Sequence, residues 1–349
     1  MVHLDEIKFD GIVLHKIGSK ATDEGITFSK APLRTSEEVN ELLLHYFFSP
    51  FKSREYYHLA HDNDINLNEI YSYASAIFAD KSALYEQSMN IAKHLYRNSS
   101  HPNIKSGELY VVYFRDCIIE GEMIDAIGIF KSENKDTFLR VRLGGEGEFG
   151  IDSENGININ KLDKGCLIFN SMADSGYLVL AVDNLSKSAE AAYWLNDFLH
   201  LTRRKDEYYS TEEAMQICNE FVTKRMPEEF EDVCRADQAE MLNESAKFFK
   251  ENDVFALDEF ERDVFKSPEV IDSFHAFKDK YESDRGTKLN TNFEIAGDAV
   301  RKKNRLLKSV IKLDKNFQIN VLGNSELISK GFDREKGMHY YTLFYNEEF

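Results

Sequence analysis

The sequence predicts an α+β protein: an N-terminal antiparallel sheet with flanking helices, then a helical region, then a short C-terminal antiparallel β-meander. Three observations predict it. Between Gly107 and Asp183, apolar and aromatic runs of strand length alternate with polar turns. Before and after that stretch, apolar residues recur at helical spacing behind capping signals. Beyond Arg305 the pattern returns to strands. The composition can sustain such a fold. With 349 residues, 42% hydrophobic, 26 Phe and 17 Tyr, the chain can bury a large core, which excludes wholesale disorder. Only 5 prolines and 18 glycines exclude collagen-like and Pro-rich linker chains. No apolar run reaches the roughly 18 residues of a membrane-spanning helix. Met1-Val2-His3-Leu4-Asp5-Glu6 lacks the layout of a secretion signal, so a soluble, cytoplasmic protein is expected.

Taken in order, Ile12–Ile17 and Ile26–Ser29 read as short strands. Thr35-Ser36-Glu37-Glu38 is a capping box ahead of Val39, Leu42, Leu43, Tyr46 and Phe47 at helical spacing. A second amphipathic helix carries Ile70, Tyr73, Ala74, Ile77 and Phe78, and a third runs over about 83–97. Leu109–Ile119, Met123–Lys131 and Thr137–Leu143 form a meander, and 165–170 with 177–183 form a further hairpin, about five strands in all. Residues 145–156 read as loop. The helical period then resumes over 192–199, breaks at 202–206, and restarts behind a second capping box at Ser210-Thr211-Glu212-Glu213. Helices are expected near 235–251 and 257–265. Another follows Ser267-Pro268, an N-cap with proline in the first turn, and ends at Gly286. Strands are expected at Arg305–Leu313, Phe317–Leu322 and Met338–Tyr345. The break near 202–209 suggests two domains: an α+β domain over 1–205, and a helical domain ending in a basic β-meander over 206–349.

Charge is distributed unevenly. The chain carries 43 basic and 61 acidic residues, a net of −18, and on average such a molecule repels DNA. Residues 1–300 hold 33 basic against 55 acidic, but 301–349 hold 10 against 6. Within that end, 301–315 has seven basic residues and one acid: Arg301, Lys302, Lys303, Arg305, Lys308, Lys312 and Lys315 against Asp314. The functional reading is a phosphate-binding edge, which needs cations but no base-reading geometry. The structural reading is a solvated face or a lysine-protected sheet edge. Arg203, Arg204 and Lys205 form a smaller cluster, which by itself reads first as cations closing a helix C-terminus and second as a further phosphate contact.

Other constellations carry less. Cys117, Cys166, Cys218 and Cys234 are far apart and read as reduced thiols. Gly145-Glu146-Gly147-Glu148-Phe149-Gly150 matches G-x-G-x-x-G, yet loop residues and two acids stand where a dinucleotide site needs a helix start. Asp62-Asn63-Asp64-Ile65-Asn66 opens like a calcium loop but has Leu67 and Tyr73 where Gly and Glu are required. His58, His61 and Asp62 could present an i, i+3 histidine pair to a metal if they were helical. A solvated loop outweighs that reading, and no metal or other cofactor is expected.

Several segments together resemble a known family. Gly107-Glu108-Leu109-Tyr110-Val111-Val112-Tyr113-Phe114 leads into Ala126-Ile127-Gly128-Ile129-Phe130-Lys131. Ile159 to Phe169 follows, then Tyr193-Trp194-Leu195-Asn196-Asp197-Phe198-Leu199 and Lys205-Asp206. In order and spacing they resemble the bacterial 37-kilodalton nucleoid-associated proteins, the YejK/NdpA family. The likeness is best over about 105–225 and returns at Phe317-Gln318-Ile319-Asn320. It implies a nucleoid location and association with DNA, and it brings no catalytic residues. It favours the phosphate-binding reading of 301–315: sequence-independent, salt-sensitive binding to double-stranded DNA, with a symmetric homodimer adding avidity. Two alternatives remain. One is an acidic adaptor docking on a nucleoid protein, and the other is a metal-dependent hydrolase built on His58, His61 and Asp62.

Overall fold

The structure is a computed structural model describing residues 7–101, 104–185, 193–230, 233–307, 310–320 and 327–347. The chain divides into two compact units, Met1–Arg204 and Lys205–Phe349. The first unit comprises β1 (Lys8–Ile17), β2 (Ile26–Thr27), α1 (Glu37–Phe48), β3 (Tyr56–Leu59), α2 (Glu69–Ala79), α3 (Leu84–Asn98), β4 (Gly107–Ile119), β5 (Glu122–Ser132), β6 (Asp136–Leu143), β7 (Phe149–Gly156), β8 (Lys164–Phe169), β9 (Leu178–Asp183), a wide π-type turn at Tyr193–Phe198, and β10 (Leu201–Arg203).

Eight of these strands form one antiparallel sheet in the order β10-β3-β9-β8-β5-β4-β1-β2. Its centre, β9-β8-β5-β4, holds four of the five strands expected of the meander; the other, Thr137–Leu143, lies outside this sheet. The apolar runs there are continuous because both faces are covered. Leu109, Val111 and Tyr113 of β4 join the core under α2, α3 and Trp194, whereas Tyr110, Val112 and Phe114 join the core under α1. Phe47 of α1 stacks on Phe130 of β5, with ring centres 4.1 Å apart. The Thr35–Glu38 signal starts α1 as expected, and the Ser36 hydroxyl accepts from the Val39 N–H. Strand β3 has no counterpart among the expected strands. It is four residues long, and its Leu59 N–H donates to the Gly176 carbonyl. Gly176 sits at φ +93°, and a Cβ there would overlap the Leu59 carbonyl oxygen, so this junction requires glycine.

Among the described residues, strands β6 and β7 pair only with each other. Residues 149–156, expected as loop, are therefore a strand. The polar run Asp152-Ser153-Glu154-Asn155 concealed the period of two in Phe149 and Ile151. The hairpin register places Leu139, Val141, Leu143, Phe149 and Ile151 on one face, and all five are exposed. Arg140 and Arg142 lie on the other face, paired with Glu154 and Asp152.

The second unit comprises α4 (Glu207–Glu220), a π-type turn (Phe221–Arg225), α5 (Met226–Glu229), α6 (Arg235–Glu251), β11 (Val254–Ala256), α7 (Leu257–Phe260), a second π-type turn (Glu261–Phe265), α8 (Pro268–Arg285), β12 (Asn292–Glu294), α9 (Gly297–Lys303), β13 (Val310–Leu313), β14 (Phe317–Asn320), β15 (Ile328–Asp333) and β16 (Met338–Leu343). Its core is a phenylalanine cluster: Phe221, Phe248, Phe249, Phe255, Phe260, Phe265 and Phe274. Helix α4 starts before the second capping box. Asp206 is the N-cap, accepting from the Tyr209 N–H, and Thr211 lies inside the helix with its hydroxyl donating to the Glu207 carbonyl. Ser267, Pro268 and Gly286 bound α8 as expected. The C-terminal strands form two separate antiparallel hairpins, β13–β14 and β15–β16. No described helix is long and apolar enough to cross a membrane.

Candidate nucleic-acid interface

The basic segment takes three local forms. Arg301, Lys302 and Lys303 occupy the last turn of α9, where cations complement the helix C-terminus. Arg305 to Leu307 were expected to begin a strand, but they form the turn that follows. Leu307 draws that turn inward by burying in the phenylalanine core, and the Asn219 side-chain amide donates to the Leu306 carbonyl. Lys308 lies outside the described residues. Strand β13 then pairs with β14, matching Val310 to Asn320, Ile311 to Ile319, Lys312 to Gln318 and Leu313 to Phe317.

The period of two decides which way this hairpin faces. Ile311, Leu313 and Ile319 pack with Ala236 and Ala239 of α6, and Ile311 is only 5% exposed. Lys312 and Gln318 share the outer face. Lys315 stands exposed in the connecting turn, which Asp314 opens at φ +50°. Arg301, Arg305, Lys312 and Lys315 are exposed and make no ion pair among the described residues. Lys302 and Lys303 differ. Both ammonium groups lie 3.9 Å from Oε1 of Glu212, a buried carboxylate on α4. Lys302 also lies 5.7 Å from the centre of the Tyr208 ring. These two cations neutralise a buried acid, which competes with any outside anion.

The smaller cluster ends a strand and does not close a helix. Arg203, in β10, has its Nε 3.2 Å from Oε1 of Glu55. Arg204 donates to Glu120 at 3.1 Å, and its guanidinium lies 5.6 Å from the centre of the Tyr56 ring. Lys205 is exposed beside the Asp206 cap of α4.

His58 and His61 do not share a helix face. His58 lies in β3, with Nδ1 donating to the Tyr177 carbonyl at 2.7 Å. His61 is in the following loop, with Nδ1 accepting from the Asn63 N–H. Among the described residues, no group of three or more His, Cys, Asp or Glu is placed to hold a metal ion. Cys117, Cys166 and Cys218 are buried, and burial pushes the thiols of Cys117 and Cys218 up to about 12. Cys234 is half-buried at the start of α6.

Charge is also buried within the first unit, which sequence spacing did not reveal. Lys131 of β5 and Lys164 of β8 are direct cross-strand partners, an arrangement that like charges disfavour. Each is answered by an acid: Lys131 lies 2.8 Å from Glu133, and Lys164 lies 2.7 Å from Asp183, all four side chains being buried. Burial lowers the Lys131 pKa, and Glu133 opposes that shift. The Tyr193 hydroxyl donates to Glu133 at 3.2 Å.

No curated protein matches the chain. The sequence profile described as nucleoid-associated protein YejK matches residues 13–338, which span both units and the whole basic segment. The chain therefore belongs to the family of nucleoid-associated protein YejK.

Proposed function

We propose that this nucleoid-associated protein binds double-stranded DNA directly, through phosphate contacts and without regard to sequence. One observation carries the reading. In a chain of net charge −18, the β13–β14 hairpin seats its apolar face on α6 and turns Lys312 and Lys315 outward, and Arg301 and Arg305 stand exposed nearby in sequence. Exposed cations on a short helix end, a strand and two turns suit backbone contact, because phosphates need charge within reach and no base-edge geometry. The acidic remainder repels the duplex, so contact is confined to this edge. Lys302 and Lys303 contribute less, because Glu212 holds them. Arg203 and Arg204 serve the first unit through Glu55 and Glu120. Two such edges in a symmetric homodimer would raise the effective concentration of the second contact. The role is binding and not catalysis.

The test is equilibrium binding to a random-sequence duplex across salt concentrations. The wild type is compared with a variant carrying Arg301, Arg305, Lys312 and Lys315 all changed to Ala. Log affinity should fall with log salt by about 0.9 for each phosphate contacted, and the variant should show a shallower slope. Absence of wild-type binding even at low salt would sink direct DNA contact and leave the nucleoid association to a protein partner.

A further inference from the structure

The β6–β7 hairpin presents an apolar face with no partner among the described residues. Leu139, Val141, Leu143, Phe149 and Ile151 share it, and each keeps 62–75% of its surface exposed. Scattered exposed leucines are ordinary, but five contiguous large side chains on one strand pair form a patch of the kind that marks an interface. We infer that this face is where two copies of the chain associate.

Three observations point to a second copy as the occupant. The first is area. Five such residues expose about 600 Å² per copy, so a face-to-face pair with its flanks could bury up to about 1,200 Å², which reaches the lower bound for specific interfaces. The second is charge. The apolar face carries no ionisable group, and the cations of the opposite face are already answered within the hairpin, Arg140 by Glu154 and Arg142 by Asp152. The hairpin thus offers nothing to select a charged partner or a nucleic acid.

The third is shape. Val141 and Ile151 form the middle cross-strand pair. On the tip side stands the bulky pair Leu143–Phe149, and on the base side the smaller pair Leu139–Ser153. A two-fold axis running across the hairpin at the middle pair brings each Val141 against its own counterpart, and each Ile151 likewise. It also lays Phe149 of one copy over Ser153 of the other, large against small. Stacking of two sheets face to face at about 10 Å gives this interdigitation, and an isologous contact closes at two subunits. Edge-to-edge strand addition would leave the apolar face wet.

The inference does not depend on DNA binding, because its readout is the mass of the free protein. Sedimentation equilibrium of the full chain should give twice 40.4 kDa. A Val141→Lys, Ile151→Lys variant should run at the monomer mass with an unchanged circular dichroism spectrum. If that variant misfolds, cysteine substitution decides. Val141→Cys should form a disulfide-linked dimer under mild oxidation, and Arg140→Cys, one residue away on the opposite face, should not. A monomeric wild type, a lysine variant that folds and remains dimeric, or equal cross-linking at 140 and 141 would each overturn the inference.

Discussion

Two antiparallel hairpins in this chain are turned opposite ways. In β13–β14 the apolar alternates Ile311, Leu313 and Ile319 pack with α6, although Phe317 beside the connecting turn stays exposed, and the opposite face carries Lys312 and Gln318. In β6–β7 no helix among the described residues covers the apolar alternates, so Leu139, Val141, Leu143, Phe149 and Ile151 remain outside, while the charged alternates satisfy one another. The same local structure thus yields a cationic surface in one place and a hydrophobic one in the other. The period of two sets which residues go together. The presence or absence of a covering helix sets which set meets the solvent.

The largest expected effect breaks this contrast at its anchor. Ile311→Ala should cost about 2–4 kcal/mol in denaturant unfolding, because it empties a packed site against Ala236 and Ala239. Ile151→Ala, measured at dilutions where subunits are apart, should stay within about 0.5 kcal/mol. Equal costs would mean that the two hairpins are not packed differently.

Acid should weaken the first unit. Burial holds His15 from its ordinary 6.5 down to about 4, with Nδ1 accepting from the Ser29 N–H and Nε2 bonded to the Ser88 hydroxyl. Burial lowers His94 as well, with Glu69 opposing the shift. The folded state resists protons that the unfolded chain accepts. This contribution is therefore fully present above about pH 6.5 and is lost as pH falls toward about 4. A loss on the order of 3 kcal/mol is expected over that window. His15→Gln should flatten the profile, and an unchanged profile would remove His15 as its source.

The outer face of β13–β14 gives the next effect. Changing Lys312 and Lys315 to Ala should lower the salt slope of DNA binding by about 1.8, at about 0.9 for each phosphate no longer neutralised. The smallest effect is expected from Lys303→Ala, whose partner is Glu212. Its slope should change by less than that of Lys312→Ala alone, and the reverse ranking would place the DNA-binding surface on α9 instead of the hairpin.

The sheet was legible because its signal is local and doubled. A strand buried on both faces, such as Leu109 to Phe114, reads as an apolar run that little else resembles. Ser36 and the Ser267-Pro268 pair were equally plain, since a cap acts on its own helix. The misses share a different cause. Strand β3 is four residues held by pairing with β9 and β10, both more than a hundred residues away in sequence. The start of α4 was displaced because Asp206 and Ser210 are both competent caps, and the sequence does not rank them. Within the basic segment, the charge excess was visible, but its division was not. That Lys302 and Lys303 serve Glu212 whereas Lys312 faces outward depends on where α4 and α6 pass.

The facing lysines Lys131 and Lys164 limit how this sequence can drift. Removing one member of a buried ion pair costs about 3–5 kcal/mol, a large share of the roughly 5–15 kcal/mol that holds a typical domain together. Loss of Glu133 or Asp183 alone would also leave two ammonium groups opposed with half their compensation gone. Replacing a whole pair by apolar residues of similar size is far milder. Descendants of this chain should therefore change positions 131 and 133 together, or 164 and 183 together, and seldom one without its mate.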